Sequence, residues 1–374
     1  MVVRSQAPCG ATENVYQRLG VRTVINAAGT FTEFGGSLMP AEVLAAMAQA
    51  ARQFVDYREL QLAVGERLSQ LLHVEAALVT GGAASGLLLG TAAAITCRSP
   101  EFIHRHPDEP WEVLRQSSHR HAYDRQIEMG GVRIIEVSSA EDVARAINPR
   151  TVLMLAYNVC EPTGQLSHHQ WLAVAREHGL PTLLDAAADV PPVENLWRFT
   201  DLGYDMVVFS GGKALRGPQG SGLLLGKRAL IAAARDNAAP NEGVVGRVAK
   251  VSKEDIVGLW RAVELFVQQE GELLAACEQR LQVLEDELAR VVGLDTSRIV
   301  PPVANHFPHL LLQWDEQLLG RSREALKIHL RDGSPSIVTG RVEGTGEAGF
   351  LISVVNLQPG EDSVVAGRIV QFFQ

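Results

Sequence analysis

The sequence predicts an α/β protein with a mostly parallel central sheet, followed by a smaller α+β domain at the C-terminal end. Three observations lead to this fold class. Short apolar β-rich runs alternate with helical patterns through the middle of the chain, one long helical pattern follows, and the last part mixes short strands with short helices. Apolar strands that alternate with helices are typical of parallel sheets covered on both faces.

The alternating region follows two amphipathic helical patterns, at Pro40–Gln53 and from Arg58 onward, where apolar residues recur every three or four positions. The predicted strands are Ala76–Thr80, Arg133–Val137, Thr151–Tyr157, Pro181–Asp185, Asp205–Ser210 and Gly222–Gly226. The predicted helices between them include Leu87–Ile95, Glu141–Ile147 and His169–His178. In such sheets ligands bind outside the carboxyl ends of the strands.

The chain has 374 residues, which exceeds the size at which one hydrophobic core keeps growing, so two domains are expected. A helical pattern from Ile256 to about Val292 is long enough to connect them. We predict an N-terminal arm at 1–40, a large domain at 41–258, and a connector helix with a small domain at 259–374. The small domain combines strand-like runs and helices at His309–Trp314, Ser322–Arg331, Gly349–Val355 and Asp362–Phe373.

Composition restricts the classes of function. Hydrophobic residues make up 46% and charged residues 21% of the chain, as in ordinary globular proteins. A net charge of −9 without a basic run disfavours nucleic acid as a partner. The apolar runs are too short to span a membrane, and the N-terminus lacks the apolar core of a secretory signal. Four dispersed cysteines argue against a zinc site or a disulfide scaffold. We expect a cytoplasmic protein that binds a small molecule.

One lysine follows a predicted strand in a turn of small residues. The run Val207–Phe209 leads into Ser210, two glycines and Lys213. The lysine amine can condense with a cofactor aldehyde, and the Ser210 hydroxyl can reach a phosphate. The turn Gly217–Gly222 that follows lets the main chain pass close to a ligand. A lysine on a solvated loop is the simpler interpretation of Lys213 alone, but two further motifs favour a cofactor anchor.

An acidic residue closes the preceding strand. Asp185 follows an apolar run and precedes three alanines. At a strand end, its carboxylate can pair with a protonated pyridine nitrogen, which keeps the ring an electron sink. The alternative is an aspartate that caps the next helix.

A turn of small residues joins another strand to an apolar helix at Val79–Gly86. Backbone N–H groups at a helix N-terminus bind phosphate. The turn lacks the Lys-Ser/Thr pair of a Walker loop and does not fit GxGxxG, so nucleotide binding is not indicated.

The order of these three motifs resembles that of fold-type-I pyridoxal-5′-phosphate (PLP) enzymes. The resemblance is most detailed to the selenocysteine-synthase-like family, and within it to the D-glucosaminate-6-phosphate ammonia-lyase branch. It extends over nearly the whole chain from about Tyr16. The segments that carry it are Tyr16–Gly20, Ile25–Thr30, Gly35–Met39, Phe54–Asp56, Leu60–Gln61, Val79–Gly86, Asp185–Ala188, Ser210–Gly220, Lys250–Gly258 and Pro335–Ile337.

The resemblance implies a fold-type-I PLP-dependent transferase fold and a role for each motif. Lys213 would form the Schiff base with the cofactor, and Asp185 would pair with the pyridinium nitrogen. Gly82, Ala83 and Ser210 would bind the cofactor phosphate.

Four further residues each have a functional and a structural interpretation. The segment Ser118–Asp124 matches a stretch that crosses the cofactor face, so His119 is the first candidate to stack on the ring and His121 the second. A structural histidine is the alternative for each. Arg341 would hold a substrate carboxylate through a bidentate pair, unless it is a surface arginine. Lys250 would reach the cofactor phosphate of a neighbouring subunit, unless it is a helix-end lysine in solvent.

The branch resemblance implies a lyase that eliminates a β-substituent and ammonia from a small amino acid or amino sugar acid. A racemase or epimerase, an aminotransferase and a β-substitution transferase are alternatives within the same cofactor class. A non-catalytic binding protein with the same fold is an alternative from another class. The family also implies a homo-oligomer, a dimer or larger. The chain begins almost directly at the PLP-enzyme core, which together with its negative charge disfavours a tRNA substrate.

Overall fold

The computed structural model of the chain describes residues 14–105, 108–340 and 349–374. Two units form separate sets of internal contacts. The larger unit comprises Thr30–Ala275 and Val300–Phe307. The smaller unit comprises the described residues up to Gly29, together with those in Ala276–Ile299 and Pro308–Gln374.

Twelve strands and thirteen helices are numbered in chain order among the described residues. The strands are β1 Val24–Ala27, β2 Ala76–Thr80, β3 Trp111–Gln116, β4 Val132–Val137, β5 Thr151–Tyr157, β6 Thr182–Asp185, β7 Met206–Ser210, β8 Gly222–Gly226, β9 Asp295–Ile299, β10 His309–Gln313, β11 Ser336–Thr339 and β12 Phe350–Ser353. The helices are α1 Val15–Arg18, α2 Ala41–Ala50, α3 Tyr57–Leu72, α4 Ala83–Arg98, α5 Asp124–Glu128, α6 Ala140–Ala146, α7 His168–Glu177, α8 Asn195–Leu202, α9 Arg228–Asp236, α10 Lys253–Leu288, α11 Glu316–Leu319, α12 Arg323–Asp332 and α13 Glu361–Phe373.

A seven-stranded sheet forms the centre of the larger unit, in the order β2-β8-β7-β6-β5-β3-β4. Strand β8 is antiparallel to both of its neighbours, and the remaining pairs are parallel. The fold class predicted from the sequence is therefore confirmed. Strands β2 and β7 are both antiparallel to β8 and therefore parallel to each other. As a result, β2 ends at the same edge of the sheet as β5, β6 and β7.

The six predicted strands of this sheet are all present, three of them with identical bounds. The sequence pattern missed β3, which lies between β4 and β5. All six residues of β3 are buried, including Glu112, Arg115 and Gln116. These polar side chains interrupt the apolar run by which a buried strand is identified. Their burial is explained by partners in the folded protein: ion pairs for Glu112 and Arg115, and hydrogen bonds with Leu166 for Gln116.

Helix α4 is apolar on all sides, and Gly86–Thr96 is buried throughout. Two of its glycines allow close packing against the sheet. A Cβ at Gly86 would lie 3.0 Å from a Val208 methyl, and one at Gly90 would lie 3.2 Å from the Leu183 methyls. No helix among the described residues has the length and the apolar character to cross a membrane.

The smaller unit contains a three-stranded antiparallel sheet, β12-β10-β9, and a parallel pair formed by β1 and β11. The pairing of Val24 with Ser336 ties the N-terminal residues to this unit. The bounds of the two contact-defined units therefore differ from the segments 1–40, 41–258 and 259–374 proposed from the sequence. The long helix predicted from Ile256 is confirmed as α10, and the division falls within it, between Ala275 and Ala276.

Candidate active site

Strand register places the predicted site residues at one edge of the large sheet. Tyr157 at the end of β5 pairs with Asp185 at the end of β6, and Asp185 pairs with Val208 of β7. Gly222 at the start of β8 lies between Ser210 of β7 and Thr80 of β2. The lysine turn, the aspartate and the small-residue turn before α4 therefore meet at the carboxyl edge, where ligands bind in this type of sheet.

Lys213 is partly buried and follows two glycines that no larger residue could replace without a clash. A Cβ at Gly211 would lie 2.1 Å from Ser221 Oγ, and one at Gly212 would lie 2.4 Å from the Cα of Gln219. The Ser37 hydroxyl lies 2.8 Å from the carbonyl oxygen of Lys213 and 3.0 Å from that of Gly212, and it donates to this pair. The main chain of the turn is thus held by Ser37 and packs closely against Ser221 and Gln219.

The charge state of Lys213 depends on two opposing effects. Burial lowers the pKa of its ammonium, and the carboxylates of Asp185 and Asp189 act in the opposite direction. The lowered pKa makes a larger fraction of the amine neutral at pH 7 than for a lysine in water. A neutral amine is the form that attacks an aldehyde and accepts a proton.

Asp185 is a buried carboxyl group, and burial raises its pKa. Its Oδ1 accepts a hydrogen bond from the Ala187 N–H at 2.9 Å, while Lys213 and His121 favour its ionised form. The Ala187 amide belongs to the same turn as the carboxylate, and the next helix, α8, has Glu194 as its N-cap, so Asp185 does not cap that helix. A buried carboxylate near an amine is suited to pair with a cationic ring nitrogen.

The turn before α4 has the geometry of an anion site. Gly82 is the N-cap with φ of +97°, a conformation that favours glycine, and no side chain caps the helix. A Cβ at Gly82 would meet nothing within 4 Å, whereas Gly222 packs so closely behind it that a Cβ there would lie 2.4 Å from the Gly82 carbonyl carbon. No side chain therefore caps the first turn of α4, which begins at Ala83, and the space beside Gly82 is open.

The other two phosphate candidates lie near this turn. Ser210 is partly buried and pairs with Gly222, which in turn packs against Gly82. The side chain of Lys250 is exposed, while its main chain passes beside Gly81. A Cβ at Gly81 would lie 2.9 Å from the carbonyl oxygen of Ala249 and 3.5 Å from that of Lys250.

The two candidate histidines occupy different environments. His119 is 1% exposed, and its Nδ1 accepts the Tyr157 N–H at 3.2 Å. Burial, assisted by His168 and Arg115, lowers the pKa of His119 to about 4, so its ring is neutral. His121 is partly buried, interacts electrostatically with Asp185, and packs its ring 4.8 Å from the Tyr157 ring. His121 is thus the histidine that acts on Asp185, and His119 is the more deeply buried of the two.

The remaining prediction, Arg341 as a ligand for a substrate carboxylate, lies outside the described residues.

The sequence analysis missed two groups that support this edge. Asp124 accepts the His121 N–H at 3.2 Å and the Tyr157 hydroxyl at 3.1 Å, and thereby orients the histidine and its ring partner. Asp189 is 3% exposed and interacts with both Lys213 and Asp185. Asp189 comes soon after Asp185 in the sequence. It lies between three alanines and a Val-Pro-Pro segment, and this local pattern indicates only an ordinary loop.

The donor set at this edge fits PLP. Lys213 supplies an amine for the aldehyde, Asp185 a carboxylate for the ring nitrogen, and α4 a free N-terminus for the phosphate. The fold and this set of groups together define a fold-type-I, PLP-dependent enzyme.

Comparisons with known proteins agree with this class. Residues 124–257 match the family model described as Aminotransferase class-V. D-glucosaminate-6-phosphate ammonia lyase of Salmonella typhimurium is 30% identical over 96% of this chain and 97% of its own length. The 5′-C-glycyluridine monooxygenase-decarboxylase of a Streptomyces species is 31% identical over 86% of this chain and 83% of its own length. L-seryl-tRNA(Sec) selenium transferase of Serratia proteamaculans is 27% identical over 80% of this chain and 68% of its own length.

Solved structures give the same result. A structure of D-glucosaminate-6-phosphate ammonia-lyase aligns with a TM-score of 0.84 at 29% identity, over 97% of this chain and 99% of the other. A structure of SPT with PLP aligns with a TM-score of 0.58 at 15% identity, over 92% and 86% of the two chains, and supports the fold alone. The chain belongs to the selenocysteine-synthase-like family of PLP-dependent enzymes that includes D-glucosaminate-6-phosphate ammonia lyase, and this relationship supports the lyase interpretation.

Proposed function

We propose that this chain releases ammonia from a small amino acid or an amino sugar acid. The observation that carries the proposal is the position of Lys213 and Asp185 after adjacent parallel strands, beside the open N-terminus of α4. The ammonia lyase among the relatives supports the choice of reaction and makes D-glucosaminate 6-phosphate the first substrate to test.

The residues would divide the chemistry as follows. When bound, PLP supplies an electron sink for the electron pair left at the substrate Cα. Lys213 anchors the cofactor and then, through its neutral amine, removes the Cα proton. Asp185 holds the ring nitrogen in its protonated form. His121 would cover one face of the ring. Gly82, Ala83 and Ser210 would bind the phosphate, together with Lys250 from a neighbouring subunit.

The overall reaction balances without an oxidant. A β-hydroxy amino acid loses its Cα proton and its β-hydroxyl as water. A water molecule then adds at C2, ammonia leaves, and a 2-keto acid remains. The oxidation at C2 is matched by the reduction at C3, so the chain needs only acid–base groups and the electron sink.

The test is a substrate screen with the PLP-loaded protein. We expect ammonia and a 2-keto acid in equal amounts from D-glucosaminate 6-phosphate or from a β-hydroxy amino acid, without uptake of oxygen. Lys227→Ala is the matched control, because Lys227 pairs with Asp205 and lies after the far end of β8. Full activity in this variant and none in Lys213→Ala assigns the turnover to the site.

Other outcomes identify the alternatives. Deuterium exchange at Cα without ammonia indicates a racemase or epimerase, and transfer of the amine to a keto acid indicates an aminotransferase. Replacement of the β-substituent by an added nucleophile indicates a β-substitution transferase. Oxygen uptake with release of carbon dioxide indicates a reaction like that named for the Streptomyces relative. Bound PLP without any of these reactions contradicts the enzyme proposal and favours a binding protein.

The proposal includes assembly into homodimers or larger oligomers, in the cytoplasm. The larger unit exposes apolar side chains at Leu38, Leu44, Phe54, Leu62 and Val248, a set suited to a protein interface. Cys97, Cys160 and Cys277 are free thiols, as expected for a reducing compartment. In a light-scattering measurement we expect at least a dimer, and we expect Phe54→Glu to reduce its mass. A monomeric wild type contradicts this part of the proposal.

A further inference from the structure

A second buried carboxylate, that of Asp189, follows the end of β6, and Lys213 follows the end of the adjacent parallel strand β7. Asp189 is 3% exposed, and its charge interacts with those of Lys213 and Asp185. Burial is the largest cause that raises the pKa of Asp189 to about 6, so the group is ionised at neutral pH. The proposed function commits Asp185 to the cofactor ring and leaves Asp189 without a role.

Asp189 and Ala188 hold a strained turn at Ala304 and Asn305. Oδ1 of Asp189 accepts the Ala304 N–H at 2.9 Å, and the carbonyl oxygen of Ala188 accepts the Asn305 N–H at 2.6 Å. Ala304 and Asn305 have φ values of 53° and 48°, in the left-handed region that non-glycine residues rarely adopt. Two consecutive residues in this conformation need external support, and residues 188–189 provide it at both amides.

A chain of neutral groups supports the carboxylate from the other side. Asn158 Nδ2 donates to Asp189 Oδ1 at 2.7 Å, which leaves the Asn158 amide oxygen as an acceptor. His168 Nε2 lies 2.9 Å from that oxygen and therefore carries the proton. His168 Nδ1 then accepts the Tyr204 hydroxyl at 2.7 Å. The donors at Asp189 fix its orientation without adding a positive charge.

The neighbouring charges leave Lys213 as the counter-ion of Asp189. The charges that act on Asp189 include those of Asp185 and Lys213, and of these two Lys213 is the cation. His168 is linked to Asp189 through the Asn158 side chain. Asp185 is paired with the ring nitrogen in the loaded enzyme of the proposed function. Asp189 is then the carboxylate that remains to balance a positive charge on the lysine nitrogen.

We propose that Asp189 is a positioning residue that stabilises the protonated nitrogen of Lys213 and holds the Ala304–Asn305 turn at the active-site edge. The inference rests on the proposed function. It assigns the two carboxylates different partners: Asp185 acts on the cofactor ring, and Asp189 acts on the lysine. When Lys213 takes the Cα proton, Asp189 balances the resulting ammonium.

The test uses Asp189→Asn in the full-length protein loaded with PLP alone. Asparagine keeps an oxygen for Ala304 and Asn158 but removes the charge. The pH at which the visible absorbance band changes reports the protonation of the lysine nitrogen. Because a negative charge favours the protonated form, we expect the midpoint to fall by roughly one pH unit in the variant.

Two further variants separate charge from structure. Asn195→Ala removes a donor at 2.6 Å to the main-chain carbonyl of Asp189 and keeps the charge, so we expect a lower Tm with an unchanged midpoint. Asn158→Ala weakens the ionised form of Asp189, so we expect a midpoint shift in the same direction as Asp189→Asn. This variant also decides the question if Asp189→Asn does not fold.

The outcomes distinguish the two proposals. If the wild type shows no visible band with PLP, the proposed function fails. If the wild type shows the band and its midpoint is unchanged in Asp189→Asn and Asn158→Ala, only the role of Asp189 is overturned. A loss of thermal stability without a midpoint shift also overturns it, because a purely structural carboxylate would give that result.

Discussion

Two groups of buried charges in the larger unit differ in how they are paired. In the first, around Arg115, the guanidinium lies 2.7 Å from Glu136 and 3.5 Å from Asp124, and the neighbouring Glu112 lies 2.5 Å from Arg133. In the second, Lys213, Asp185 and Asp189 affect one another electrostatically, but no ion pair joins them within 4 Å in the described part of the chain. Charges in direct contact stabilise a strand, whereas charges held apart leave room for a ligand between them.

The two groups are therefore expected to respond differently to mutation. Removal of the charge of Arg115 or Glu112 should mainly reduce stability, because neither side chain is among the groups proposed to bind the cofactor or substrate. Removal of a charge from the Lys213 group should impair the chemistry. Loss of the Lys213 or Asp185 charge should cost little stability, because burial destabilises both.

Lys213→Ala gives the largest expected effect. The variant lacks both the anchor for the cofactor and the base at Cα, so ammonia release should fall on the order of 10⁴-fold. Its Tm without cofactor should equal or exceed that of the wild type, since a buried amine has been removed. Steady-state assays and thermal unfolding check both parts. A large loss of stability would show that Lys213 belongs with the structural charges.

Arg115→Met tests the other side of the comparison. The variant leaves Glu136 and Asp124 without their buried partner, so the free energy of unfolding should fall by about 3 kcal/mol. Arg120→Met is the control, because Arg120 contacts the same Glu136 from the surface with a side chain that is 76% exposed. That change should cost less than about 1 kcal/mol. Equal losses in urea unfolding would contradict the distinction between buried and exposed partners.

Stability should also depend on pH with opposite signs in the two groups. Burial raises the pKa of Asp189 to about 6, so the folded state binds a proton that the unfolded state releases near pH 4, and stability falls as the pH rises between these values. The effect is about 3 kcal/mol, and Asp189→Asn should remove it.

Glu112 has the opposite sign. Arg133 and Asn148 outweigh the effect of burial and lower the pKa of Glu112, so its contribution to stability is present above pH 4.5 and is lost as the pH falls through the folded value. Urea unfolding of wild type, Asp189→Asn and Glu112→Gln from pH 3 to pH 8 checks both signs. A single common slope for the three proteins would refute the assignment.

The two groups also differ in how far the sequence reveals them. Lys213 and Asp185 end apolar runs, and local pattern places both at strand ends, which is why they were predicted. Arg115 lies inside β3, and its burial is explained by Glu136 and Asp124 from other elements. Local patterns carry no information about such tertiary pairs.

The same limit applies to the residues around the site. The sequence analysis ranked His119 before His121. Both lie in one short segment, and the local pattern does not distinguish them. The structure buries His119 behind Tyr157 and directs the electrostatic interaction with Asp185 to His121. Asp189 was missed because its partners, Asn158 and Ala304, come from distant parts of the chain.

The most direct test of the central claim is reduction of the PLP-loaded protein with borohydride, followed by peptide mapping by mass spectrometry. We predict one permanent cofactor adduct, on Lys213, with Lys227 and Lys250 unmodified in the same digest. A protein that takes up no PLP, or an adduct on another lysine, would contradict the assignment of this sheet edge as the active site.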